Sequence, residues 1–108
     1  MPKKGVSKEE AALILSTSDN EEEVVNTLLY VCFNYDDWEW VQDKCLELLE
    51  YNNENICGLA ITCLGHIARI HSTIDKKKVL GKLQNKMGDE RFAGRIEDAL
   101  DDIHIFVK

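Results

Sequence analysis

The chain has 108 residues, of which 44% are apolar and 31% charged, and its formal net charge is −7. That length supports one hydrophobic core without disulfides or metal, and the apolar share is too high for a disordered segment. No apolar run approaches the roughly 20 residues of a membrane span, and no apolar stretch follows the basic start as a secretory signal requires. The expected setting is the cytoplasm, with no membrane partner.

Residues 1–6 have no period and read as a flexible arm. Ser7-Lys8-Glu9-Glu10 has the S-x-x-E form of a capping box, which predicts a short first helix to about Ser16. The cap-forming cluster Thr17-Ser18-Asp19-Asn20 precedes Glu21, Glu22 and Glu23, three carboxylates suited to the positive end of a helix dipole. Val24, Val25, Leu28, Leu29, Cys32 and Phe33 then fall on one side of a second helix.

Asn34-Tyr35-Asp36-Asp37 breaks that pattern and caps a third helix, whose core stripe is Trp38, Val41, Cys45, Leu48 and Leu49. Trp40, Glu47 and Tyr51 sit opposite the stripe, with Asp43 and Lys44 beside them. One tryptophan looks inward and one outward. Trp40 is either an exposed anchor or packed against the preceding hairpin.

The stretch from Asn53 to His71 is the most apolar in the chain. At 3.6 residues per turn, ten residues including Leu59, Ile70 and Leu64 cover well over a third of its circumference, so this helix is expected to pack on two sides. The remaining strip, Gly58, Thr62, Gly65 and Arg69, leaves backbone open to a neighbouring helix or a partner. His71 projects into the apolar arc and reads as a core histidine.

Ser72 to Asp75 stops the central helix and caps a fifth, from about Lys76 to Met87. Its thin stripe of Val79, Leu80, Leu83 and Met87 and its wide face of Lys77, Lys78, Lys82 and Lys86 place it at the outside. After Gly88-Asp89, a final helix buries Phe92, Ile96, Ala99, Leu100, Ile103, Phe106 and Val107 and carries Asp98, Asp101 and Asp102 with Arg91 and Arg95 on its other face. The single proline, Pro2, precedes all of this, and no segment alternates as a strand does. The fold class is all-α, with about six helices in a single domain spanning residues 1–108.

Cys32, Cys45, Cys57 and Cys63 each fall on the apolar face of a helix and read as buried free thiols. Cys63 and His66 are three residues apart, but no C-x-x-C or H-x-x-x-H pair accompanies them, so neither metal nor cofactor is expected. The three histidines lack a nucleophile elbow or a Gly-rich phosphate loop. Adjacent carboxylates such as Asp101 and Asp102 point about 100° apart on a helix and do not converge for acid–base work. The chain does not read as an enzyme.

Charge is unevenly spread: residues 19–54 carry −10, against +1 before them and +2 after. That disfavours nucleic acid and favours a basic protein partner, although an acidic surface also serves solubility. Aromatic anchors ringed by charge are what interfaces concentrate. The candidate partner-binding residues are therefore Glu21, Glu22, Glu23, Asp36, Asp37, Trp40, Asp43, Glu47 and Tyr51. A monomer is the expected free state.

Helix starts near residues 37, 54, 75 and 90 place successive hairpins 38 residues apart, close to the roughly 40-residue period of HEAT-type repeats. The runs Asp37-Trp38-Glu39-Trp40-Val41-Gln42, Gly58-Leu59-Ala60, Cys63 to His71 and Ala99 to Ile103 resemble small bacterial HEAT-repeat proteins. Ala60, Leu64 and Gly65 look like the second helix of a HEAT hairpin. The likeness covers about residues 36–106, and it implies a short α-solenoid of three helical hairpins. It departs from the general pattern in lacking a first-helix proline and in its short opening hairpin, as terminal caps often do. Proteins of similar size in this class include immunity proteins of contact-dependent growth inhibition and related polymorphic toxin systems. The resemblance implies a protein that neutralises a cognate, basic toxin domain, plausibly a nuclease. The alternative is a general HEAT adaptor with no toxin partner.

Overall fold

Five of the six helices begin where a short polar side chain takes the place of a missing helical turn. The computed structural model describes residues 6–107, and its elements are α1 (Lys8–Thr17), α2 (Glu21–Asn34), α3 (Trp38–Leu48), α4 (Glu54–His71), α5 (Lys76–Lys86) and α6 (Ala93–Phe106). Ser7, Asn20, Asp37, Asn53 and Asp75 each accept the backbone N–H three residues on. Each such cap contributes about 1 kcal/mol. The sixth helix has no side-chain cap. Asp89 instead accepts the Arg91 N–H at 3.0 Å, and this local turn holds the chain out of the helix until Ala93.

The described residues form an all-α fold of 33 × 28 × 19 Å. α4 is its centre: it packs against α2 on one side and most extensively against α6 on the other, with α3 across its back. Ile61, Leu64 and Ile67 of α4 are fully buried. α1 packs on α2, α3 on α4 and α5 on α6, while α2, α4 and α6 run side by side. This arrangement is compatible with three stacked hairpins. α5 buries Val79 and Leu83 and packs Leu80 against the core, leaving Lys77, Lys78 and Lys82 in solvent. Met87, the last residue of its predicted stripe, lies past the helix end and is exposed.

Several details depart from the sequence pattern. The arm expected over residues 1–6 lies outside the described residues except for Val6, which is buried and accepts a hydrogen bond from the Tyr35 hydroxyl. Phe33 and Ile70, both on predicted apolar stripes, are 54% and 47% exposed. Each lies near a helix C-terminus, where the facing element no longer covers the stripe. Gly58 and Gly65 are buried, because α6 fills the strip they leave open. His71 is only half-buried, in the last turn of α4, where a basic group suits the negative end of the dipole.

Two polar residues, Thr27 and Gln42, are buried without a sequence signal. Gln42 of α3 is 1% exposed, and its Oε1 accepts the N–H of Asp75 at 2.7 Å. A buried amide needs such a partner, and here the bond also fixes α3 against the start of α5.

Candidate functional site

The nine predicted partner-binding residues fall into two groups at opposite ends of α2. Glu21, Glu22 and Glu23 open that helix, whereas Asp36 and Asp37 follow its end. Fourteen residues of helix separate the groups by about 20 Å. α3 returns antiparallel, so it carries Trp40 at the Asp37 end and brings Glu47 and Tyr51 back toward Glu21.

Most of these side chains, though exposed, already have partners within the chain. Asp37 is paired with Lys8 and also caps α3, and these hydrogen bonds keep its carboxyl below the usual aspartate range. Glu21 accepts from the amides of Asn53 and Asn55 at 2.9 and 3.0 Å, which lowers its pKa. Glu23 accepts from Ser18, Asp43 faces Lys78 at 3.4 Å, and Glu47 faces Lys44 at 3.6 Å. Tyr51 donates its hydroxyl to the Leu15 carbonyl and so ties the α3–α4 connection to α1.

Trp40 is half-buried. Its ring lies 5.6 Å from that of Tyr35, with the ammonium groups of Lys8 and Lys44 at 5.8 and 5.5 Å from its centroid. A tryptophan flanked by two cations of its own chain is already well satisfied. It packs against the preceding hairpin. Glu22, Asp36 and Glu39 are exposed and have no ion pair among the described residues.

A second surface lies where α4 meets α6. Arg95 donates from Nη1 to Thr62 Oγ1 at 2.8 Å and to the Gly58 carbonyl at 3.4 Å, bridging the helices at one end. Beyond it a groove of about 390 Å³ is lined by Thr62, His66 and Arg69 from α4 and by Arg95, Asp98, Ala99, Asp101 and Asp102 from α6. His66 stands at its edge with its ring 5.1 Å from that of the exposed Phe33. Burial, and then the positive charge of Arg69, lower the His66 pKa against the opposing pull of Asp102. Both effects favour the neutral imidazole.

The thiols take no part in either surface. Cys32, on α2, donates to the Cys63 carbonyl at 3.7 Å, and Cys45 lies against Cys63 from α3. Hydrogen bonding and burial push the Cys32 thiol far up; at Cys63 the contact with Cys32 pulls the other way, but contact with Cys45 and burial outweigh it and raise that thiol too. Cys63 points inward while His66 stacks at the surface, so the pair that is three residues apart in sequence does not converge.

No protein-family model matches the chain, and no curated protein matches its sequence. A chain in the crystal structure of a CDI complex from Cupriavidus taiwanensis LMG 19424 aligns with a TM-score of 0.81 and 28% identity, over 98% of this chain and 97% of that one. This chain is similar throughout to a component of a CDI complex. Because the match runs nearly end to end, it favours neither surface over the other.

The groove was only partly visible in sequence. The strip of Gly58, Thr62, Gly65 and Arg69 marks it from one side, and the charged face of α6 from the other. Nothing local indicates that the two face each other, since Arg95 and Thr62 are 33 residues apart. Phe33 was hidden by its place on an apolar stripe.

Proposed function

We propose that the chain is an immunity protein of a contact-dependent growth inhibition system, which binds a cognate toxin domain and blocks its action. The observation that carries this reading is the near full-length likeness to a chain of a CDI complex, at 28% identity and a TM-score of 0.81. The HEAT-like motifs from Asp37 to Ile103 point the same way. So does the layered helical architecture, which presents broad side-chain surfaces to a protein partner.

The toxin domain on this reading is basic, as a nuclease is where it grips nucleic acid. A net charge of −7, with −10 in residues 19–54, supports such a partner. Exposed carboxylates such as Glu22 and Asp36 supply the field, and neutralisation follows when the bound protein covers the toxin's basic face. The chemistry belongs to the toxin; this chain acts by occupying a surface.

The test is protection. The toxin domain encoded beside this chain should arrest growth when expressed alone and should not when the two are expressed together. The purified proteins should form a one-to-one complex. A toxin domain that neither binds the chain nor loses its effect in its presence would rule out the immunity reading.

A further inference from the structure

We infer that the toxin domain docks across the exposed face of α2, α4 and α6, seated in the α4–α6 groove and anchored by Phe33, and not on the acidic outer face of α3. This rests on the immunity reading and adds to it the surface that makes contact.

The contrast between the two surfaces carries the inference. On the α3 side, Lys8–Asp37, Lys44–Glu47 and Lys78–Asp43 pair within the chain, which leaves Glu39 as the one carboxylate of α3 without an ion pair among the described residues, and Trp40 is closed between Lys8, Lys44 and Tyr35. A partner arriving there would have to break these contacts before making its own. In the groove, Arg69, Asp98, Asp101 and Asp102 have no ion-pair partner among the described residues. Charges of both signs left open in a concave site are the half of a complementary set that a partner completes.

The apolar part of an interface is present as well. Phe33 is 54% exposed and rests on His66, whose ring prolongs the aromatic surface into the groove. An aromatic ring beside a polar groove has the composition of an interface hot spot with its surrounding rim. The occupant must place an apolar pocket over Phe33 and basic side chains against Asp98, Asp101 and Asp102. The groove lining holds three carboxylates against Arg69 and Arg95, so it is net acidic although residues 55–108 as a whole are not. A basic toxin domain satisfies both requirements.

The experiment compares two sets of substitutions against the toxin domain encoded beside this chain, with thermal melts confirming the fold of each. Phe33→Ala and the pair Asp98→Asn with Asp101→Asn change only exposed positions. Each set is expected to raise Kd by about tenfold or more, the scale of hot-spot truncation, while Glu22→Gln with Asp36→Asn changes the dissociation rate little. Hydrogen exchange on the unmutated complex should show protection over residues 62–69 and 95–102. Groove variants that bind within twofold of wild type, with protection confined to α3, overturn the docking surface and leave the immunity reading standing. Wild-type protein that fails to bind overturns both. A free chain that dimerises, and whose dimer is lost in Phe33→Ala, assigns the face to a second copy and overturns the inference.

Discussion

Gly65 of α4 faces Ala99 of α6 so closely that a Cβ on the glycine would sit 3.2 Å from the Ala99 Cα. That neighbour is backbone and cannot swing aside. Gly65→Ala must therefore push α6 away from α4, at a cost of about 1–3 kcal/mol for overpacking, offset by at most about 1 kcal/mol of helix propensity. At Gly58 a Cβ would meet the Arg95 side chain, with Nε at 2.9 Å, and a flexible side chain can move. Urea denaturation should show Gly65→Ala clearly destabilised and Gly58→Ala within about 1 kcal/mol of wild type. Equal effects would mean that the α4–α6 approach is not as close as described.

Trp40 provides a second stability test. A ring that is half-buried between Tyr35, Lys8 and Lys44 holds α3 to the preceding hairpin, and its removal should cost about 2 kcal/mol, less than for a fully buried tryptophan. Trp40→Phe should recover much of that loss. If Trp40→Ala leaves the melt unchanged but speeds toxin dissociation, the ring is a binding anchor after all.

How far the sequence reveals this structure depends on the range of the interactions involved. Ser7, Asn20, Asp37, Asn53 and Asp75 cap by bonding three residues ahead, so five helix starts could be read directly. The sixth was expected near residue 90 and begins at Ala93, because the Asp89–Arg91 turn competes with helix initiation. Periodicity also placed α4 at the centre and α5 at the edge. It could not place Phe33 in solvent or Gln42 in the core, since those depend on which element lies opposite. The candidate surfaces show the same division. Aspartates and glutamates are visible in sequence, but the Lys8–Asp37 and Lys78–Asp43 pairs that occupy them span 29 and 35 residues.

The buried thiols should be silent in the native protein. All four cysteines are free and buried, and Cys32, Cys57 and Cys63 have raised pKa values, Cys57 chiefly through burial. Since the thiolate is the reactive form, a thiol reagent at pH 8 should label the folded chain very slowly and all four positions on denaturation. A reductant should leave the melting temperature where it is. Rapid labelling of even one native cysteine would contradict the packing of α2, α3 and α4.

His66 gives the fold a pH dependence of definite sign. Its folded pKa lies below the ordinary value of 6.5 because burial and Arg69 disfavour the imidazolium. Between these two values the unfolded chain binds more protons than the folded one, so stability is full above pH 6.5 and declines as pH falls toward the folded pKa. His66→Gln should flatten this part of the profile. The lowered carboxyls of Glu21, Asp37 and Asp89 act in a separate, more acidic window, below their ordinary values of 4.5, 3.8 and 3.8. Their contribution is present above those values and is lost as pH falls through the lowered ones. A His66→Gln profile identical to wild type between pH 5 and 7 would show that the ring is freely solvated beside Phe33.

Association with a basic toxin domain should depend on salt in a way that separates steering from contact. Glu22 and Asp36 lie at opposite ends of α2, too far apart to bind one group but both part of the −10 segment that sets the long-range field. Such a field accelerates encounter without necessarily strengthening the docked complex. The Debye length falls from about 10 Å at 0.1 M salt to about 3 Å at 1 M, so the association rate should drop steeply over that range while the dissociation rate changes less. Glu22→Gln with Asp36→Asn should slow association at low salt and match wild type at 1 M. Substitutions at Phe33 should do the reverse, raising the dissociation rate at every salt concentration, because an apolar anchor is not screened. An association rate that does not change with salt would remove the acidic field from the mechanism and leave recognition to the contact surface alone.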